Sequence, residues 1–380
     1  VIVENVAVGV DTRLRKQVRD LLAAGHRVSV ITMRDDDNAA FRDTPGLRLL
    51  EYPPPAQPTG ALGYVREYVV SFCRASALAC RLRLRGHVDV LQVCQPPDIY
   101  FPLCRLMRWL GTRIVVDQRD LMPELLGSRY ERPPQAMMRV LGWLERRTQR
   151  VAHHTLCVNE YLRDRIIDAG AAPGQVSVIR NGPVLARVEQ TVPEPTLKGA
   201  HRYLVCWAGK MGKQDRVDLV VRVAEYVVRD LGRRDCGFAV LGDGECLEEL
   251  RALTAQLGLD PWVSFPGWLP EDRVFTYLAS ADLGLDTSLQ VEVSPVKAME
   301  YMAFGLPLVC FDLQETRRIA VDAAVFVAPA DTAALARSLV ALLDDSRARH
   351  KLGSVGRARV REELAWERQT PVYLAAIQPP

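Results

Sequence analysis

The chain has 380 residues, 48% of them apolar and 25% charged, and a net charge of +3; this length points to two domains and the charge balance argues against a general nucleic-acid surface. No apolar run reaches the ~18–20 residues of a membrane span, and an opening on the strand-like VIVENVAV implies no signal peptide. Nine cysteines without a CxxC pair or metal-ligand spacing read as free thiols in a reducing compartment, so a cytoplasmic location and no metal are expected.

In chain order, VIVENVAV is a strand and TRLRKQVRDLLAAGH an amphipathic helix, with Leu14, Val18, Leu21 and Leu22 on one face and Gly25 as its stop. RVSVIT and LRLLEYP follow as strands. A proline-rich loop, PPPAQPTG, then leads into a long helix over 61–85, whose arginines are expected to form a solvated face rather than a membrane contact. VDVLQVCQPPD is a buried strand ending in a turn where Asp98 is expected to cap. FPLCRLMRWLG, TRIVVDQRD, QAMMRVLGWLERRTQRVA, HTLCVN, a helix from Glu160 and QVSVIRNGP continue the alternation. The paired His153 and His154 are expected to be structural. Three prolines without periodicity from Pro183 to Ala200 mark a connection, placed at 184–200.

The alternation restarts with YLVCWAG, VDLVVRVAEYVVRD, CGFAVLGDG, CLEELRALTAQLG, WVSFPGW, EDRVFTYLASA, DLGLDT, a helix after Ser294, PLVCFDL and AAVFVAP. The expected fold class is therefore α/β, with two doubly wound Rossmann-like domains at 1–183 and 201–360. A C-terminal segment, 361–380, is expected to pack back toward the first domain. Ligands of such sheets bind at the carboxyl ends of the strands, here in a cleft between the domains.

Several loops at those ends carry candidate chemistry. In VEVSPVKAME, Ser294 and Pro295 are expected to open a helix with Val296, Met299 and Ala303 toward the core and Lys297 beside Glu300. The first-turn amides and Lys297 would seat a phosphate, Glu300 would accept from a ribose diol, and Glu292 would reach a sugar hydroxyl. The alternative is a capped helix with a surface Lys297–Glu300 pair. In WAGKMGKQDRVD, Gly209 and Gly212 let amides approach an anion while Lys210, Lys213 and Arg216 supply charge; the alternative is a solvated turn. The chain holds only six lysines, and three fall in these two loops, which favours a diphosphate. VLGDGE, with Gly242, and VSFPGW, with Gly267 and Trp268, are weaker: a loop that is not GxGxxG, and a nucleobase wall or mere packing. In the first half, Gly9, Asp11 and Arg13 follow one strand and Asp117, Arg119, Asp120 and Glu124 another.

These segments together resemble glycosyltransferase family 4 of GT-B fold, bacterial branch, over nearly the whole chain. Glu292 to Glu300 is similar to the family's E-x7-E, and SPVKAMEYMAFGLPLVCFDLQETR to its SP-x-K-x-x-EYMA-x-G-x-P segment. GKMGKQDRVDL resembles G-x-MG-x-QDGVD, and ENVAVGVDTRLRKQ, VNEYLRDR and IRNGP are similar to the same branch. The resemblance implies a metal-independent, retaining transfer (EC 2.4) from a UDP- or GDP-sugar to a small-molecule, glycan or lipid-linked acceptor, with no cofactor beyond that co-substrate. It implies Glu300 on ribose, Glu292 on the donor sugar, and Lys297, Lys210 and adjacent amides on the diphosphate, with Ser294, Pro295, Val296, Gly209, Lys213, Gly242, Gly267 and Trp268 around the nucleotide. Gly9, Asp11, Arg13, Arg119 and Asp120 would serve the sugar and acceptor side.

Three positions depart from the branch. Asp117-Gln118-Arg119-Asp120 stands for D-x-HD, adding a cation that would suit an acidic donor. Arg216 stands for the glycine of QDG. Lys210 and Asp215 occupy the places of an arginine–lysine pair. A nucleotide-sugar epimerase of the same fold and a non-catalytic nucleotide-sugar-binding protein are the alternatives, and the lack of GxGxxG argues against a dehydrogenase.

Overall fold

A computed structural model of the chain describes residues 1–4, 6–55, 60–124, 134–292 and 294–378. They divide into two compact units, Val1–Arg180 with Gln369–Pro380, and Asn181–Arg368.

The first unit holds α1 (Thr12–Ala23), β1 (Val28–Met33), β2 (Leu47–Tyr52), α2 (Gly60–Arg85), β3 (Val90–Gln95), α3 (Phe101–Trp109), β4 (Arg113–Gln118), α4 (Gln135–Val151), β5 (His154–Cys157), α5 (Glu160–Asp168) and β6 (Val176–Val178). All strand pairs are parallel, β1 with β2 and β3-β4-β5-β6 in sequence. Ile2 bridges Ile31 and Val93, so the N-terminal segment lies between β1 and β3 and joins the two ladders. Among the described residues that segment, expected as a full strand, pairs only around Ile2, through Ile2 N–H to Gln92 C=O (2.8 Å) and Val3 N–H to Ile31 C=O (3.0 Å). β4 is buried along five of its six residues, Asp117 and Gln118 included, because helices cover both faces of the sheet.

Helix starts follow local chemistry. Asp11 accepts from Leu14 N–H (2.8 Å) to open α1, and Asn159 accepts from Leu162 N–H (2.9 Å) to open α5, each cap contributing about 1 kcal/mol. Asp98 does not cap. Its carboxyl is buried, burial pushes it up to about 8, and its backbone carbonyl accepts from the Thr148 hydroxyl (3.1 Å). His153 Nδ1 accepts from Ile114 N–H (2.9 Å), and His154 bonds Ser177 Oγ (2.9 Å).

The second unit contains α6 (Leu185–Glu189), β7 (Tyr203–Ala208), α7 (Asp218–Glu225), β8 (Cys236–Leu241), α8 (Leu247–Gln256), β9 (Val263–Gly267), α9 (Glu271–Ser280), β10 (Leu283–Asp286), α10 (Val296–Ala303), β11 (Leu308–Phe311), α11 (Gln314–Ala320), β12 (Ala324–Val327), α12 (Thr332–Asp344) and α13 (Ser346–Arg359). Its parallel sheet runs β12-β11-β10-β7-β8-β9. The order is that of a doubly wound sheet, and winding reverses between β7 and β10, which makes that gap the place for a ligand. One side of the sheet packs Trp207, Phe238 and Val309 against α7 and α12. The other packs Cys206, Ala239 and Cys310 against Met299, Tyr301 and Met302 of α10.

Residues 184–200, expected as an irregular connection, form α6 and a single turn over Pro195–Lys198 inside this unit. Charge fastens them there: Arg187 pairs with Glu271 and Asp272, and Glu194 with Arg273 (2.8 Å). The last helix, α14 (Trp366–Ile377), begins in the second unit, and the first unit resumes at Gln369 rather than at 361. Tyr373 Oη donates to Gln92 Oε1 (2.8 Å) and Thr370 Oγ1 to Asp20 (2.6 Å). All nine cysteines are free, and among the described residues no helix is long and apolar enough to cross a membrane.

Candidate functional site

Gly209 and Gly242 directly follow β7 and β8, and Gly267 ends β9, with backbone hydrogen bonds joining these strand ends. Gly209 N–H donates to Leu241 C=O, and Gly242 N–H to Gly267 C=O, both at 3.0 Å. A Cβ on Gly242 would lie 1.9 Å from the Gly209 carbonyl oxygen, and Gly242 itself has φ +129°, so this position admits only glycine. The VLGDGE loop thereby packs against the GKMG loop, with Met211 N–H on Asp243 C=O (2.9 Å) and Cys246 N–H on Met211 C=O (3.0 Å).

Lys297 reaches into this glycine corner from the first turn of α10. Its Nζ lies 3.4 Å from Asp286 Oδ1 and 4.7 Å from the centre of the Trp207 ring, and its Cε runs against Gly209. In place of the alternative surface pair with Glu300, the lysine's partners are Asp286 and Trp207. Tyr301, next on the helix, accepts from Ala208 N–H (2.8 Å). β7 and β10 pair only at Leu283–Val205 and Gly284–Cys206, so beyond that point the tyrosine hydroxyl takes the place of a ladder partner and fixes α10 to the end of β7.

The start of α10 differs from expectation. Ser294 does not cap: its Oγ is buried without a hydrogen-bond partner. Pro295 occupies the cap position and has no side-chain bond to offer, because proline carries no polar group. Among the described residues the start of α10 has no side-chain cap, Val296 N–H turns to the Ser294 carbonyl (2.8 Å), and Lys297 lies in the same turn, a chemistry that suits an anion. Met299 and Ala303 face the core as expected, and Val296 is half-buried. Glu300 and Glu292 are both half-buried, the first on α10 and the second in the preceding loop.

Opposite Lys297 lies the short turn Lys213–Asp215. Asp215 accepts from Gly212 N–H (3.2 Å), and burial pushes its carboxyl above the ordinary range against the pull of Lys297 and Lys210. Lys210 and Lys213 are exposed and make no ion pair among the described residues. Arg216, expected as a third free cation, instead turns to Asp218 (2.9 and 3.0 Å). Trp268, 72% exposed, follows Gly267 as an open aromatic surface. Sequence reasoning missed Asp286, Trp207 and Tyr301. The signal for Asp286 was its place as the last residue of a strand beside the switch point.

In the first unit Asp11, Arg13 and Arg119 meet, with Asp117 at the centre. Arg13 grips the Asp117 carboxylate (2.8 to 3.2 Å) and the Ile179 carbonyl (2.6 Å), and Gln17 adds a bond (3.0 Å). Arg119 bonds Asp117 (3.1 Å), Asp11 and the Cys94 sulfur (3.1 Å). Burial alone would raise the Asp117 pKa, but the two guanidiniums hold it well below the usual carboxylate range. Two arginines and two aspartates balance, so Arg119 is not a spare cation for an acidic sugar. Gly9 serves packing: a Cβ there would lie 2.0 Å from the Asp37 carbonyl oxygen. Asp120 is exposed at the end of β4, and its carbonyl accepts from Gln118 Nε2 (2.7 Å). Among the described residues no group of three or more His, Cys, Asp or Glu side chains could hold a metal ion.

Two family models match the chain, Glycosyltransferase Family 4 over residues 8–187 and Glycosyl transferases group 1 over residues 202–345. The chain belongs to this group of glycosyltransferases. Its fold is GT-B: Anabaena HepE, solved with UDP-glucose, superposes with TM-score 0.75 at 16% identity over 98% of each chain. The MMP alpha-(1->4)-mannosyltransferase of Mycolicibacterium hassiacum is 24% identical over 93% of this chain and 90% of its own length. The alpha-D-kanosaminyltransferase of Streptomyces kanamyceticus is 26% identical over 40% of this chain, a match spanning 39% of that relative.

Proposed function

We propose that this family 4 glycosyltransferase moves a sugar from a nucleoside diphosphate sugar to an acceptor with retention of anomeric configuration. The observation that carries the reading is Lys297 at the uncapped start of α10, held against the glycine corner of β7 and β8. An uncapped helix start, a partly buried ammonium and close-approach glycines together suit a diphosphate and have no better use as packing. HepE is a fold neighbour solved with UDP-glucose, which supports UDP as the first donor to test. The two curated relatives are named for different sugars, so the sugar is set by residues particular to each chain.

In this reading Lys297, Lys210 and the α10 amides hold the diphosphate. Charge grows on that group as the glycosidic bond breaks, so these contacts strengthen in the transition state. Glu300 binds the ribose diol and Glu292 the donor sugar, with Gly242, Gly267 and Trp268 toward the base. The acceptor, a small molecule, glycan or lipid-linked sugar, binds on the first unit. The leaving phosphate oxygen takes the acceptor's proton as the new bond forms on the same face.

Calorimetry with UDP and GDP tests the site. Binding should weaken at least tenfold in Glu300→Ala, and unchanged tight binding would remove the ribose assignment. An inverted anomeric centre in the product, read by NMR, would overturn retention. Turnover of donor incubated alone would favour an epimerase.

A further inference from the structure

The first unit also carries a face on two of its helices that has been given no part in the transfer reaction. Helices α3 and α4 lie side by side, with Phe101 edge-on to Trp143 (5.5 Å). Six arginines project from them: Arg105 and Arg108 from α3, and Arg139, Arg146, Arg147 and Arg150 from α4, all exposed. The only carboxylate on either helix is Glu145, which is buried and engaged by Arg165 (3.5 Å) and Gln149 (3.2 Å). Among the described residues none of the six arginines makes an ion pair, whereas arginines elsewhere in the chain commonly do. Apolar side chains stand among them: Trp109 is 82% exposed, Val140 55%, and Leu106 and Trp143 43% each. Arg147 stacks on Trp143 (5.3 Å) and Arg108 braces the Val151 carbonyl (3.0 Å), so the guanidiniums are partly ordered. A cavity of about 380 Å³ opens between the helices, lined by Arg105, Arg108, Arg147 and Arg150 with Phe101 and Trp109.

Single exposed apolar residues are ordinary, but uncompensated cations interleaved with protruding indoles are not. Indole rings favour the headgroup level of a bilayer, arginines bind phosphate in a planar fork, and a positive face is drawn to anionic lipid. The chain's net charge is only +3, so six arginines facing one carboxylate on these two helices exceed the charge of the whole chain. We propose that α3 and α4 form a docking surface for an anionic lipid bilayer, with the four-arginine cavity receiving a phosphorylated headgroup.

The test is flotation of the full chain with vesicles of phosphatidylcholine alone and with vesicles containing phosphatidylglycerol. Binding is expected only to the anionic vesicles, weakening as salt rises. Arg105→Glu with Arg150→Glu should lower partition about tenfold or more, and Trp109→Ala should weaken it at fixed lipid composition. These variants keep buried groups intact, and UDP affinity, which should not change, checks folding independently of the docking claim. Absence of anionic-vesicle binding at low salt, or equal binding by the charge-reversal variant, would overturn the proposal. Tighter, reversal-sensitive retention of a polynucleotide than of vesicles would overturn it in favour of a nucleic-acid face.

Discussion

Both units gather positive charge at the carboxyl ends of their strands, but they use it differently. In the first, Arg13 and Arg119 are locked onto Asp11 and Asp117, leaving no net charge. In the second, Lys297 has one carboxylate at 3.4 Å and an aromatic face, and Lys210 and Lys213 make no ion pair among the described residues. Planar, permanently charged arginine suits a fixed internal lattice, and compact lysine suits an anion that arrives and departs. A charge in such a loop is thus a ligand group only where its structural partners leave it unsatisfied.

The largest expected effect comes from breaking the internal lattice. Asp117→Ala leaves Arg13 buried without its anion and should destabilise the first unit by about 3–5 kcal/mol, read as faster hydrogen exchange in α1 and β4. The native carboxylate also predicts a pH effect. Its folded pKa lies below the unfolded value, so its contribution is complete above about pH 4 and is lost as pH falls from there toward the folded pKa. Asp117→Asn should remove that acid-side loss.

Next is the second unit. Lys297→Met keeps the aliphatic contact with Gly209 and Trp207 but deletes the charge. We expect kcat to fall by about 10²–10³ with little change in unfolding midpoint. A large stability loss with retained turnover would place Lys297 with Arg13 as a structural ion.

A third test concerns acids that lack a cation. Burial pushes Glu4 up to about 8, where it accepts from the Tyr100 hydroxyl. The folded state keeps its proton while the unfolded state has lost it, so stability declines as pH rises from about 4.5 to about 8. The slope is opposite to that of Asp117. Glu4→Gln should flatten it, gaining on the order of 2 kcal/mol at the alkaline end, measured by urea melts at several pH values.

Much of this was legible beforehand, for a physical reason. Alternating apolar runs and helical periods report burial directly, so two parallel α/β units followed from β-branched strands such as β4 and from stops such as Gly25. Gly242 was legible because the Gly209 carbonyl comes too close for a side chain, whereas Gly267, with open space around it, is required by its φ of +82°. The charged partners were not. Nothing local says that Asp117 meets Arg13 across 104 positions, or that Lys297 prefers Asp286 to Glu300, its neighbour one turn on. Such choices depend on how strands order in the sheet. The 184–200 segment misled because proline content marks irregular backbone, whereas its ion pairs to α9 decide where it belongs.

A finer test asks whether Asp215 restrains the anion site. It faces Lys297 and Lys210 where relatives of this branch were expected to carry a lysine. Asp215→Asn retains an acceptor for Gly212 N–H and removes the opposing charge. Affinity for UDP should rise about threefold to tenfold. No gain would mean that the carboxyl is already neutral when the nucleotide binds.

The smallest effect separates strain from charge at Arg216. Its backbone is left-handed, with φ 49° and ψ 43°, at a place where the family branch carries glycine. An L-residue there costs about 1 kcal/mol, while glycine adds back unfolded-state entropy of similar but smaller size. The half-exposed Arg216–Asp218 pair contributes only a few tenths of a kcal/mol. The Thr287 hydroxyl bond to the Arg216 carbonyl (3.3 Å) survives any side-chain change. Arg216→Gly should therefore stabilise the second unit by about 0.5 kcal/mol and leave UDP affinity unchanged, since Arg216 faces Asp218 and not the glycine corner. A loss of stability would show that the ion pair holds the loop against its backbone strain. A loss of affinity would place Arg216 with Lys210 among the cations that meet the ligand.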